Sequence, residues 1–110
     1  MAVLKAVIGV VEDDTALQEL LVEELEAEGY QVDAWGSLED FKSSNASPDL
    51  IVSDIRLPGE SGLTLLEDLK QHDNPPALLL ITAFGTVDQA VDALKKGADD
   101  FLTKPLDIEH

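Results

Sequence analysis

The chain has 110 residues, 45% of them hydrophobic, with 7 Gly and 5 Pro, which sets it up as one folded domain and excludes both a two-domain protein and a disordered chain. It has no cysteine, so disulfides and thiolate metal sites are excluded. Its 23 acidic and 7 basic residues leave a net charge of −16, which argues against binding a nucleic-acid backbone, since that requires Lys and Arg to release counterions. No apolar run approaches the roughly 18 residues of a membrane span, and Met1–Lys5 lacks the features of a secretory signal; the reading is a cytoplasmic domain.

Apolar runs alternate with amphipathic segments along the whole chain. Ala6–Val11 reads as a strand, followed by a helix over Thr15–Glu28 with Leu17, Leu20, Leu21 and Leu25 as its apolar face. Asp14 or Thr15 caps this helix, Gln18 completes a capping box with Thr15, and Gly29 stops it. Tyr30–Ala34 is a short strand, Ser37–Lys42 a short helix, and the polar stretch 43–48 a loop. Leu50–Ser53 is the third strand. Leu63–Gln71 is the next helix, with Leu65, Leu66 and Leu69 apolar, ending before Asp73-Asn74-Pro75-Pro76. Ala77–Ile81 is a continuous apolar run, as in a strand covered on both faces. Thr86–Lys96 follows as a helix, opened by a Thr86/Gln89 capping box, with Val87, Ala90, Val91 and Leu94 as its stripe and Gly97 at its end. Phe101–Thr103 is the fifth strand. This order predicts an α/β fold with parallel crossovers.

The residues that end the strands carry the chemistry. Glu12-Asp13-Asp14 follows the first strand, Asp54 the third, Thr82 the fourth and Lys104-Pro105 the fifth. Open α/β sheets bind ligands at these carboxyl ends. An acid before a helix is commonly an N-cap, and that reading is preferred for Asp14. It leaves the crowding of Glu12 and Asp13 unexplained, because adjacent carboxylates repel until a cation relieves them. Mg²⁺ is held by one or two carboxylates plus a phosphate, which makes Asp13 and Asp54 candidate direct ligands and Glu12 a ligand reaching through water. Asp54 is the candidate nucleophile toward phosphorus, Thr82 a hydroxyl donor to a phosphoryl oxygen, and Lys104 a point charge for it. Taken singly, each has a bland alternative: a turn acid, a β-branched strand end, a solvated lysine.

In that order, Val10-Val11-Glu12-Asp13-Asp14, Ser53-Asp54-Ile55-Arg56-Leu57-Pro58-Gly59, Ile81-Thr82-Ala83 and Thr103-Lys104-Pro105 resemble the receiver domains of two-component response regulators. The resemblance implies a flavodoxin-like, doubly wound five-stranded parallel sheet of order 2-1-3-4-5, with the last helix largely missing. It implies that residues 1–110 are one receiver domain, the N-terminal part of a longer regulator, phosphorylated on Asp54 by a sensor histidine kinase. Glu12, with Glu in place of the commoner Asp, and Asp13 would form the acidic Mg²⁺ pocket with Asp54 and the backbone carbonyl of Arg56. Thr82 and Lys104 would hold the phosphoryl group, and a cis peptide would join Lys104 to Pro105. Phe101 matches the switch aromatic that responds to Thr82, while Ala83, Phe84 and Arg56 occupy positions that modulate the site. The segments from Asp54 to Gly59 and from Thr82 to Asp88 look like receivers of nitrogen-regulator-type activators, which work with an alternative sigma factor. The implied partners are the kinase and an output domain of the same protein, with a homodimer possible and no membrane or direct nucleic-acid contact.

Two other classes remain open at this point. A haloacid-dehalogenase-type phosphatase also uses Asp, Thr or Ser, Lys and Mg²⁺, but requires Asp-x-Asp on its first strand, a spacing absent from Asp13-Asp14-Thr15. A receiver used only for phosphate-independent interaction would be expected to lack some of the acids or the lysine.

Overall fold

The alternation of buried and amphipathic segments produces five strands and four helices among the described residues. In chain order they are β1 Val7–Val11, α1 Thr15–Ala27, β2 Gln31–Trp35, α2 Leu38–Ser44, β3 Leu50–Asp54, α3 Gly62–Leu69, β4 Ala77–Thr82, α4 Val87–Lys96 and β5 Asp100–Thr103. The structure is a computed structural model that describes residues 6–55, 62–71, 75–82 and 87–103. All neighbouring strands pair in parallel, in the order β2-β1-β3-β4-β5. This is the flavodoxin-like doubly wound sheet expected from the sequence. The expected loss of the last helix concerns residues outside the described ones.

The central strands β1, β3 and β4 are largely apolar on both faces because helices cover both. Ile8, Val10, Val52 and Ile81 point to the side covered by Leu17, Leu21 and Leu25 of α1. Val11, Ile51, Leu78 and Leu80 point to the other side, against Leu38 and Phe41 of α2, Leu65, Leu66 and Leu69 of α3, and Ala90 and Ala93 of α4. Each fully buried aliphatic side chain of this kind contributes about 1.5–3 kcal/mol relative to exposure.

Strand starts are pinned by two acids. Asp49, just before β3, donates its N–H to the carbonyl of Val7 (2.7 Å) and accepts the Val7 N–H on its carboxylate (2.8 Å). Asp99, just before β5, makes the same two-point bracket to Leu78, at 3.0 and 2.7 Å. Asp49 thereby satisfies the first amide of β1 and Asp99 the second amide of β4, which sets the register of each.

Helix termini follow their capping residues with one departure from expectation, and the buried helix faces with two. Asp14 is the N-cap of α1, its carboxylate accepting from the Leu17 N–H, and Ser37 caps α2 by accepting from the Asp40 N–H. The box between Thr15 and Gln18 does not form, because the Gln18 amide turns instead to the carbonyl of Glu12. Leu20 is 42% exposed whereas Leu21 is 6% exposed: the core ridge runs through Leu17, Leu21 and Leu25, four residues apart, and Leu20 falls on its flank. Val91 is likewise 40% exposed; Ala90 is buried as expected, and the small, fully buried Ala93 faces the core in place of Val91. Gly29 (φ 99°) and Gly97 (φ 123°) follow α1 and α4 in a conformation that a side chain would strain. The Thr86 cap and the Asp73-Asn74 end of the third helix lie outside the described residues.

Candidate functional site

The strand order reverses between β1 and β3, so the chain leaves β1 toward α1 on one face and leaves β3 toward α3 on the other. A crevice opens between the carboxyl ends of these two strands, the usual ligand position of an open α/β sheet. Register decides what lines it. Val11 stands opposite Ser53, so Glu12 and Asp54 extend their strands to the same level.

Glu12 continues the ladder one step beyond β1, donating its N–H to the carbonyl of Trp35 at 3.0 Å. Its side chain is 1% exposed, and one carboxylate oxygen accepts the Asp14 N–H at 3.0 Å. Asp14 is committed to capping α1, as preferred from the sequence. Asp13 is exposed, and Asp54, the last residue of β3, is 5% exposed. The next amide, of Ile55, donates to the carbonyl of Ile81 at 3.0 Å, which holds the end of β3 against β4. Glu12, Asp13 and Asp54 each offer a carboxylate oxygen within 4.8 Å of the others.

Such a cluster is electrostatically costly by itself. For the buried pair Glu12 and Asp54, like charges no more than 4.8 Å apart repel by at least about 3.5 kcal/mol at an effective dielectric near 20. A divalent cation converts that repulsion into attraction. The donor set is entirely anionic oxygen, with no His or Cys, which suits a hard ion such as Mg²⁺ better than Zn²⁺ or Cu²⁺.

Thr82 ends β4 with no solvent exposure, one step beyond Ile81, which pairs with Asp54. Phe101 on β5 is half-buried and packs against the core on the side of α2, α3 and α4. Thus five of the nine residues singled out from the sequence, Glu12, Asp13, Asp54, Thr82 and Phe101, lie on β1, β3, β4 and β5 or just after them. Arg56, Ala83, Phe84 and Lys104, together with the Pro58-Gly59 turn and the Lys104-Pro105 bond, lie outside the described residues. Sequence reasoning gave Gln18 only a capping role and Trp35 no role at the site: the Trp35 link to Glu12 runs through backbone groups, and the Gln18 side-chain amide reaches a backbone carbonyl that no residue type marks. A groove of about 740 Å³ lined by Phe41, Lys42, Pro48, Leu65, Leu69 and Pro76 opens at the other end of the sheet, away from the carboxylates. No helix among the described residues is long and apolar enough to cross a membrane.

Comparison with known proteins agrees with this architecture. Over 108 residues the chain is 35% identical to the DNA-binding transcriptional regulator NtrC of Salmonella typhimurium, covering 96% of this chain and 23% of that protein. It is 41% identical over 100 residues to the transcriptional regulatory protein FixJ of Azorhizobium caulinodans, covering 89% of this chain and 47% of FixJ. The chain therefore spans about a quarter to a half of these relatives. The crystal structure of full-length FixJ from B. japonicum superposes with a TM-score of 0.88 at 35% identity, covering 97% of this chain and 54% of that one. The family model described as the response regulator receiver domain matches residues 8–110, and with the sheet order and the acidic crevice in agreement, the chain belongs to the response regulator receiver domain family.

Proposed function

We propose that this domain is a phosphorylation switch in which Asp54 accepts a phosphoryl group from a sensor histidine kinase. The observation that supports the reading is the convergence of Glu12, Asp13 and Asp54 within 4.8 Å at the crevice, beside buried Thr82. A carboxylate oxygen of Asp54 attacks phosphorus, the P–N bond of the kinase phosphohistidine breaks, and the imidazole leaves. Glu12, Asp13, Asp54 and the backbone carbonyl of Arg56 would hold Mg²⁺, which when bound would neutralise charge on the phosphoryl oxygens. Thr82 donates its hydroxyl to a phosphoryl oxygen and Lys104 supplies a positive charge. Small Ala83 leaves room for the phosphoryl group, and Arg56 and Phe84 tune hydrolysis of the acyl phosphate.

Signalling follows from a two-state element. Phosphoryl contacts made by Thr82 bias its position, and Phe101, two strands from Asp54 and half-buried, changes rotamer with it. In this reading residues 1–110 are the N-terminal receiver of a longer cytoplasmic regulator, and the switched surface controls an output domain, as the names of the transcriptional relatives suggest. Homodimerisation is one form that control takes. The only chemistry is self-phosphorylation and self-dephosphorylation, not turnover of an external substrate.

Intact mass after incubation with Mg²⁺ and acetyl phosphate tests the proposal. One phosphoryl group is expected on the wild type, and none without Mg²⁺ or on Asp54→Asn. Repeated turnover of phosphate esters would replace this reading with a phosphatase, and an unmodified wild type would leave an interaction domain.

A further inference from the structure

The two acids at the end of β1 sit on a short turn, Glu12–Asp14, whose precision decides whether their carboxylates meet Asp54. That turn is tied to α1 at both ends: Asp14 caps the helix, and a side chain of the helix reaches back to Glu12. Gln18, in the second turn of the helix, donates its Nε2–H to the carbonyl oxygen of Glu12 at 3.0 Å in a partly buried setting. On its other side the Glu12 residue is held by its N–H on the carbonyl of Trp35, also at 3.0 Å. The Glu12 carbonyl belongs to the same rigid plane as the Asp13 N–H. Holding that oxygen restrains the plane and so the Asp13 Cα, while the Asp14 N–H on the Glu12 carboxylate restrains the next peptide, and the two together limit the directions in which the Asp13 carboxylate leaves the backbone. Asp13 is the exposed member of the trio, so it has the least packing of its own to hold it.

The helix does not need this bond. The Gln18 backbone N–H already donates to the Asp14 carbonyl at 2.9 Å, and the Asp14 carboxylate caps the Leu17 N–H. The side-chain amide is therefore free to serve the turn. We propose that Gln18 is a positioning residue for the carboxylate cluster, orienting the Glu12–Asp13 peptide so that Asp13 meets Asp54 around a divalent cation. The proposal rests on the reading of this crevice as a Mg²⁺ site.

Gln18→Met tests it, because Met matches Gln in length and helix propensity but cannot donate. Mg²⁺ titration by calorimetry should show roughly three- to tenfold weaker binding, the equivalent of one neutral hydrogen bond. That is less than the roughly 10–100-fold expected when a partner of a ligating side chain is lost. In metal-free buffer with EDTA, the ¹⁵N order parameter of the Asp13 amide should fall from the rigid range near about 0.85, while Tm drops by no more than the few degrees that one lost hydrogen bond costs. Unchanged affinity and order parameter would overturn the role, and so would a loss of affinity with the Asp13 order parameter unchanged, which marks a general structural effect. A wild type that takes up no Mg²⁺ would defeat the metal-site reading and this role together. Wild-type binding with an unaltered Gln18→Met affinity would defeat this role alone.

Discussion

Gly9→Ala should destabilise the domain by about 1–2 kcal/mol, although Gly9 is an ordinary strand position without a positive φ. A Cβ built there meets Cζ3 of Trp35 at 3.0 Å and Cγ and Cβ of Pro48 at 3.2 and 3.4 Å. None of these atoms yields easily. Pro48 is buried and directly precedes Asp49, which is bracketed to Val7. Trp35 lies edge-on to Phe41, ring centres 5.0 Å apart. Overpacking of this kind costs about 1–3 kcal/mol. Removing the glycine from the unfolded chain returns about 0.4–1 kcal/mol, leaving a net loss that lowers Tm by several degrees, at about 4–8 °C per kcal/mol for a domain near this size. Urea denaturation should show a lower midpoint with an unchanged slope. A double-mutant cycle with Trp35→Leu, which removes the ring carbon nearest the new methyl, should reveal a coupling of at least about 0.5 kcal/mol. A Gly9→Ala protein as stable as wild type, or strict additivity with Trp35→Leu, would refute the steric account. Because the Trp35 carbonyl holds Glu12, the same variant should also bind Mg²⁺ more weakly.

Further outcomes follow from the charges and brackets. Mg²⁺ should raise Tm, by the equivalent of about 2.7 kcal/mol at one hundred times its Kd, and EDTA should reverse this; Asp13→Asn should lose most of the gain in differential scanning calorimetry. Asp54→Asn should unfold at a higher temperature than wild type in metal-free buffer, since it relieves the repulsion with Glu12; a lower Tm would mean the carboxylate's own bonds outweigh that repulsion. Asp49→Ala and Asp99→Ala should each cost about 1–2 kcal/mol, by leaving the amides of Val7 and Leu78 without their carboxylate acceptor. Their effects should add in chemical denaturation, because one brackets β1 and the other β4.

Element order, the parallel α/β class and the chemistry-bearing acids were legible in the sequence because they depend on local pattern, and the strand order came from the family resemblance. Strands covered on both faces show as apolar runs, Gly29 and Gly97 mark helix ends, and Glu12, Asp13, Asp54 and Thr82 each end such a run. Apolar periodicity also placed α1 and α4, but could not choose between neighbouring candidates for burial. Leu20 and Leu21, or Val91 and Ala93, differ only by where the sheet lies, and that is a property of packing. The same limit applies to Gln18, which satisfies a capping-box pattern yet bonds a backbone carbonyl six residues back. Asp49 and Asp99 look like ordinary loop acids until the neighbouring strand brings Val7 and Leu78 to them.

What the sequence determined by itself was therefore which residue types end which strands. Whether those ends meet was a question for the tertiary structure. Glu12 and Asp54 stand 42 positions apart, and only the pairing of β1 with β3, with Val11 opposite Ser53, brings their carboxylates within 4.8 Å. Periodicity reports the face on which a residue lies, whereas register across a parallel sheet is set by crossovers, by bracket acids and by two packed faces acting together.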